Sequence, residues 1–156
     1  MEIVFKKAPY LDDWQSHFKR INLEWLEEYF TVTLADLDQL ENPDRILKNG
    51  GAVLFLVVSG EVVGTLALVK EPDGSMELAK MGILSTHRGK GFGRKLIMNA
   101  IEEAKGSGAY GLHLDTVDVL KPAIALYESA GFCRVGEPQV HPLFGRTTFR
   151  MELKSL

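Results

Sequence analysis

The chain has 156 residues, 46% of them hydrophobic and 25% charged, which is the balance of one globular domain long enough to bury its own core. Its formal net charge of -3 excludes a general nucleic-acid binder, which would carry a basic excess, and no apolar run reaches the roughly 20 residues of a membrane helix. The start "MEIVFKKAPY" has no basic and apolar leader pattern, Cys133 stands alone, and His17, His87, His113 and His141 lack metal-ligand spacing, so the expectation is a cytoplasmic protein without an intramolecular disulfide or a metal.

Residues 3–6 read as a first strand. From Trp14, the residues Trp14, Phe18, Ile21, Trp25, Leu26 and Tyr29 recur at helical spacing and predict an amphipathic helix. Thr33 and Asp36 match a capping box for a short second helix carrying Leu34, Leu37 and Leu40. Asn42-Pro43 opens a further turn, which Gly50-Gly51 closes. The runs "AVLFLVV" and "EVVGTLALV" flank Ser59-Gly60 and predict a hairpin. The turn signal "EPDGS" leads to a third run, "MELAKMGIL", so these three strands form an antiparallel meander.

A glycine-rich stretch follows, and then Leu96, Ile97, Ala100, Ile101 and Ala104 mark the inner face of a helix ended by Gly106-Ser107-Gly108. "GLHLDT" is a short strand. Pro122 opens a helix with Ala123, Ile124, Leu126, Tyr127 and Ala130 turned inward, and Gly131 caps it. "FCRVG" and "TTFRMEL" are closing strands joined by a proline-containing loop over residues 137–145. A meander followed by alternating strands and helices predicts a mixed α/β fold: one mixed, mostly antiparallel sheet of about six to seven strands with helices on both faces.

Gly89, Gly91 and Gly93 stand on alternate residues where a strand hands over to a helix. Without Cβ atoms, this arc lets backbone N–H groups converge on an anion, and the helix N-terminus adds its own positive end. Arg88, Lys90, Arg94 and Lys95 surround the arc in an otherwise acidic chain, although cations at a helix start oppose the dipole. The combination predicts a phosphate site. No Gly-Lys-[Ser/Thr] is present, which excludes a P-loop; a dinucleotide fingerprint would need glycine in place of Arg94, although Asp115 follows at about the right distance.

"RGKGFG", with Arg88, Gly91 and Gly93 on an [Arg/Gln]-x-x-Gly-x-[Gly/Ala] pattern, resembles the acyl-CoA pyrophosphate loop of the GNAT superfamily of N-acetyltransferases. "PAIALYESAGF", residues 122–132, is similar to a later helix of that family. The likeness runs over residues 52–153 by element order and over 76–132 by motif. It divides the single domain, 1–156, into acceptor-side helices (1–51), an acyl-CoA-binding core (52–132) and closing strands (133–156). Two positions depart from the pattern: Ser85 stands where the family often has proline, and Leu120 where it often has an asparagine that holds the pantetheine arm.

The resemblance implies acetyl-CoA as co-substrate, bound by Met81, Gly82 and Ile83 through the backbone and by Arg88, Gly89, Lys90, Gly91, Phe92, Gly93 and Arg94 in the loop, with Thr116 or Lys121 standing in for the asparagine. It implies Tyr127 as the acid or thiolate stabiliser and Glu77 as the base, directly or through water, with His113 and Asp115 as alternatives. Strand alternation puts Glu77 on the face of Met81 and Ile83, opposite Lys80. Trp25 and Tyr29 are the expected acceptor wall, joined by His141 or Arg146. Glu24, Glu27 and Glu28 stand ready for a cationic amine or form a solvated helix face. The implied acceptor is a small-molecule or peptide amine, with no nucleic acid or membrane partner, and the family allows a homodimer. A non-catalytic acyl-CoA sensor and a dinucleotide-binding domain are the alternatives.

Overall fold

The computed structural model describes residues 1–153 and 155–156. Its elements run β1 (Ile3–Lys7), α1 (Trp14–Tyr29), α2 (Leu34–Glu41), α3 (Asp44–Lys48), β2 (Ala52–Val58), β3 (Glu61–Lys70), β4 (Met76–Ile83), α4 (Phe92–Gly106), β5 (Leu112–Thr116), α5 (Lys121–Ser129), β6 (Phe132–Val140) and β7 (Thr147–Leu153). The seven strands form one sheet in the order β1-β2-β3-β4-β5-β7-β6. Every neighbouring pair is antiparallel except β4 with β5.

Two apolar layers explain why the central strands read as unbroken hydrophobic runs. Along β2, Leu54 and Leu56 face one side, where Leu96, Ile97, Ala100 and Ala104 of α4 pack. Val53 and Phe55 face the other, where Trp14, Phe18, Ile21 and Leu26 of α1 and Leu40 of α2 pack. A strand covered on both faces has no solvent side for polar residues, and each large side chain buried in this way contributes about 1.5–3 kcal/mol. Local signals fix the joints. Thr33 and Asp36 make the reciprocal capping box at α2, and Ser59-Gly60 turns the β2–β3 hairpin with both residues at positive φ, as a tight turn of this hand requires.

Two features differ from the sequence expectation. β6 continues to Val140, through residues expected in a loop, with an irregularity between Val135 and Gln139. Pro138 cannot donate to a ladder, but β6 is the last strand of the sheet, where that loss is tolerated. Register also slips between Thr65 and Ala67 of β3 where they meet β4, and Lys80 in the slipped stretch has φ of +53°. This bulge reverses the expected faces. Met81 and Ile83 pack with the α4 layer and Gly82 meets α1, whereas Glu77 and Lys80 lie close enough for each charge to act on the other and both face away from the α4 layer. Alternation fails here because one extra residue moves every later side chain to the opposite face.

Candidate active site

β4 and β5 pair only through Met76 with Leu112 and Glu77 with His113. Beyond these two steps the strands separate, although β4 continues to Ile83 and stays paired to β3. The parting opens a cleft of about 390 Å³. One wall is the backbone of β4 from Lys80 to Ile83, another is α5 with Leu120, Leu126 and Tyr127, and the floor is the glycine loop.

That loop is built by conformation and by charge. Gly91 is the N-cap of α4 at φ +83°, a left-handed backbone that side-chain-bearing residues adopt at a cost. Gly93 is glycine for a different reason: a Cβ there would lie 2.7 Å from Leu126 Cδ2, so its absence lets α4 and α5 close together. Arg88 turns back on the protein. Its Nε donates to Ile83 O at 3.0 Å, while Nη1 reaches Glu28 at 2.9 Å and Nη2 reaches Glu24 at 3.5 Å. Glu24 also accepts from the Ser85 backbone N–H at 2.7 Å, a bond that proline could not donate. Glu24 and Glu28 thus tie α1 to the loop. The Ile83 carbonyl is likewise occupied; the Leu84 N–H turns back to Val63 O and Gly82 pairs with Thr65 of β3, so by alternation the backbone of this wall that faces away from β3 is that of Met81 and the Ile83 N–H.

Of the residues singled out from sequence, Trp25, Tyr29, Met81, Gly82, Ile83, Arg88, Gly89, Gly91, Phe92, Gly93 and Tyr127 line the cleft. Lys90, Arg94, Thr116 and Glu77 do not. Arg94 bonds Ser129 through its carbonyl and hydroxyl oxygens at 3.1 and 2.9 Å, bracing α4 against α5. Leu120 itself lines the cleft where the family pattern often has asparagine.

Tyr127 is 8% exposed and meets Phe132 edge-on. Burial pushes its phenol up to about 12, so it keeps its proton at every physiological pH. Among the described residues no wholly buried polar side-chain atom lacks a hydrogen-bond partner, and none bonds the Tyr127 hydroxyl, which therefore opens onto the cleft. Trp25 is set by a residue the sequence reading passed over. Asn22, fully buried, donates to Phe18 O and accepts from the Trp25 indole N–H, both at 2.9 Å, and the ring lies so close to Gly82 that a Cβ there would be 2.8 Å from it.

The α1 and α2 side of the cleft carries the titratable groups. Asp36 is wholly buried, and Arg146 donates to its two oxygens at 2.9 and 2.7 Å. Burial alone would raise the carboxyl, but Arg146 and the Thr33 N–H and hydroxyl outweigh it and hold it at about 2. The Arg146 guanidinium also stacks on Phe30, 4.6 Å from the ring centroid. Glu77 is pushed up to about 7 by burial and by the charges of Asp115 and Glu71, against the opposing pull of Lys80 and Arg150. His113 and Asp115 are engaged, with Glu71 at 3.6 Å and Arg150 at 3.4 Å. Among the described residues no group of His, Cys, Asp and Glu is arranged to hold a metal ion, and no helix is long and apolar enough to cross a membrane.

The arrangement suits a thioester. An open strand edge can receive an extended arm, a glycine arc at a helix start can take its phosphates, and a protonated phenol faces the gap between them. Comparisons with known proteins point the same way. An N-acetylaspartate synthetase from Danio rerio is 32% identical over 86% of this chain and 46% of its own. An uncharacterised N-acetyltransferase of Schizosaccharomyces pombe is 30% identical over 92% of this chain and 88% of its own. The chain spans about half the length of several of the curated relatives it matches. Among solved structures, a GNAT-family acetyltransferase of Staphylococcus aureus superposes with a TM-score of 0.81 at 22% identity, covering 98% of this chain and 100% of its own. A ribosomal-protein-alanine N-acetyltransferase from Brucella melitensis superposes at 0.78 with 29% identity, over 98% and 99%. The model of the acetyltransferase (GNAT) family matches residues 14–132, three quarters of the sequence and all of the cleft-forming elements up to Phe132, and the chain belongs to that family.

Proposed function

We propose that the protein moves an acetyl group from acetyl-CoA to a primary amine by direct attack within a ternary complex. The observation that carries this reading is the early separation of β4 from β5, with the cleft-lining stretch from Met81 to Ile83 on one side and Tyr127 on the other. The pantetheine arm would extend along β4 as an added strand, and its pyrophosphate would meet the N–H groups of residues 89–93. A Met81 or Ile83 N–H supplies the hydrogen bond that stabilises the oxyanion as the amine attacks. The carbon–sulfur bond breaks, the nitrogen–carbon bond forms, and the thiolate leaves toward Tyr127.

With its phenol near 12 against a thiol near about 8.5, full proton transfer from Tyr127 would cost roughly 5 kcal/mol. Its role is therefore a hydrogen bond to the developing thiolate. The amine must shed a proton, and Glu77 is poised near neutrality to take it. Because Glu77 stands outside the cleft lining, a water carries the proton between them. Lys90 would act on the phosphates from the rim.

Leu120 in the cleft favours a second reading, an acyl-CoA sensor without turnover. Thermal unfolding with acetyl-CoA, CoA, NAD or ATP, followed by thiol release across an amine panel, tests both. Ligand at about 100 times its dissociation constant adds roughly 2.7 kcal/mol, a rise of several degrees for about 150 residues. Stabilisation by CoA compounds with thiol release supports the transferase; stabilisation without release supports the sensor; stabilisation by NAD alone overturns both.

A further inference from the structure

Among the described residues, Lys80 is the one cleft-lining cation outside the phosphate loop and its adjoining turn. It sits in the β4 bulge, immediately before Met81, in a left-handed conformation that a side chain makes costly. The bulge throws the side chain to the α1 and α2 side, where its ammonium lies 4.7 Å from the centroid of the Phe144 ring. No carboxylate oxygen among the described residues comes within 4.0 Å of that ammonium, and burial lowers its pKa. A cation drawn partly out of water is stabilised by an anion beside it.

The carboxylates of this region are already engaged. Arg146 holds both oxygens of Asp36, Arg88 holds Glu28 and Glu24, and Arg150 holds Asp115. His113 lies against Glu71, and Glu77 is about half protonated at neutral pH. Asp36 and Glu77 act on Lys80 from beyond ion-pair distance, and Arg146 opposes them, so this side of β4 presents an ammonium with no carboxylate in contact. A cationic acceptor such as a polyamine or a protein lysine would meet Lys80 with like charge and no free acid, whereas an anionic acceptor would complete the pair.

We infer that Lys80 takes a carboxylate of the acceptor, so that the acceptor is a small amine bearing a carboxylate close to its nitrogen, as in an amino acid. This rests on the transferase reading for the chemistry but on Lys80 and its surroundings for the charge. With the carboxylate on Lys80, one residue before Met81, the neighbouring nitrogen is directed toward the place assigned to the thioester. Phe144 walls the ammonium on one side and shields the pair in part from water, which strengthens a charged hydrogen bond.

The test compares free amino acids, their amides, the corresponding decarboxylated amines and spermidine as acceptors with acetyl-CoA. It also measures calorimetrically the binding of the same amino acids and amides to protein saturated with CoA. Wild type should prefer the acids over the amides by about tenfold or more in kcat/KM, the worth of one charged hydrogen bond. Lys80→Met should erase that preference by raising the KM for the acid with little change in acetyl-CoA affinity, and Lys80→Arg should retain part of it. Equal use of acids, amides and spermidine by wild type overturns the inference without recourse to any variant. If no amine releases thiol yet the CoA-loaded protein binds acids over amides and Lys80→Met loses that binding, the transferase reading fails and the carboxylate site stands. No turnover and no preferential binding of acids overturns the inference.

Discussion

Replacing Glu77 with glutamine separates the cost of burying its carboxylate from any part it takes in the reaction. Burial, then Asp115 and Glu71, raise the carboxyl from 4.5 to about 7 in the folded protein. The folded chain therefore holds a proton that the unfolded chain releases between those two values. The native state binds the extra proton, so stability falls as pH rises through this window and the loss is complete above it. At about 1.4 kcal/mol per unit the loss comes to about 3 kcal/mol. That is an upper figure for the gain on substitution, since a buried amide has its own dipole to satisfy. Glu77→Gln should leave urea stability unchanged near pH 4 and increase it near pH 8, with the melting temperature there rising by about 5–10 °C for a chain of this size. An equal effect at pH 4 and pH 8, or none at pH 8, would refute the account of the raised carboxyl. The catalytic measurement is independent. If Glu77 is the base, wild-type kcat/KM rises through a limb near pH 7, and the glutamine variant loses that limb along with about 10²-fold or more of the rate. A rate and limb that survive the substitution would remove Glu77 from the mechanism and leave the stability argument intact.

Tyr127→Phe should lower kcat by about tenfold to a hundredfold, the value of one hydrogen bond to developing charge, while acetyl-CoA affinity holds; unaltered turnover would strip the hydroxyl of its role. Gly82→Ala puts a Cβ 2.8 Å from Trp25, and displacing the indole strands the buried Asn22 oxygen. Overpacking at about 1–3 kcal/mol should lower the melting temperature and raise the acceptor KM together, and a variant matching wild type in both would contradict the packing described. Arg88→Ala frees the Ile83 carbonyl and unties α1 from the loop, so the stabilisation conferred by acetyl-CoA should shrink, with a smaller loss for Arg88→Lys, which keeps the charge without the planar fork.

The layout of this fold is legible in the sequence because its signals are short. The capping box of α2, the Ser59-Gly60 turn, the Gly131 cap and the apolar periods of α1 and α4 each depend on residues within a few positions of one another. The glycine arc ahead of a helix identifies the anion site for the same reason. The continuation of β6 from residue 137 to Val140 escaped this reading, since Pro138 is a breaker everywhere except at the rim of a sheet.

The site owes its definition to contacts across the chain. The alternation that assigned Glu77 to the face of Met81 assumes an unbroken ladder, and the bulge at Lys80 arises from the register that β3 imposes on β4. Which of many acids pairs with which base is likewise undetermined until the elements pack: Arg88 finds Glu24 and Glu28 at separations of 64 and 60 residues, and Arg146 finds Asp36 at 110. Periodicity and turn chemistry are local and survive in the one-dimensional record. Charge pairing and strand register are settled only when distant segments meet, because an ion's partner is whichever opposite charge the fold carries into a low-dielectric pocket beside it.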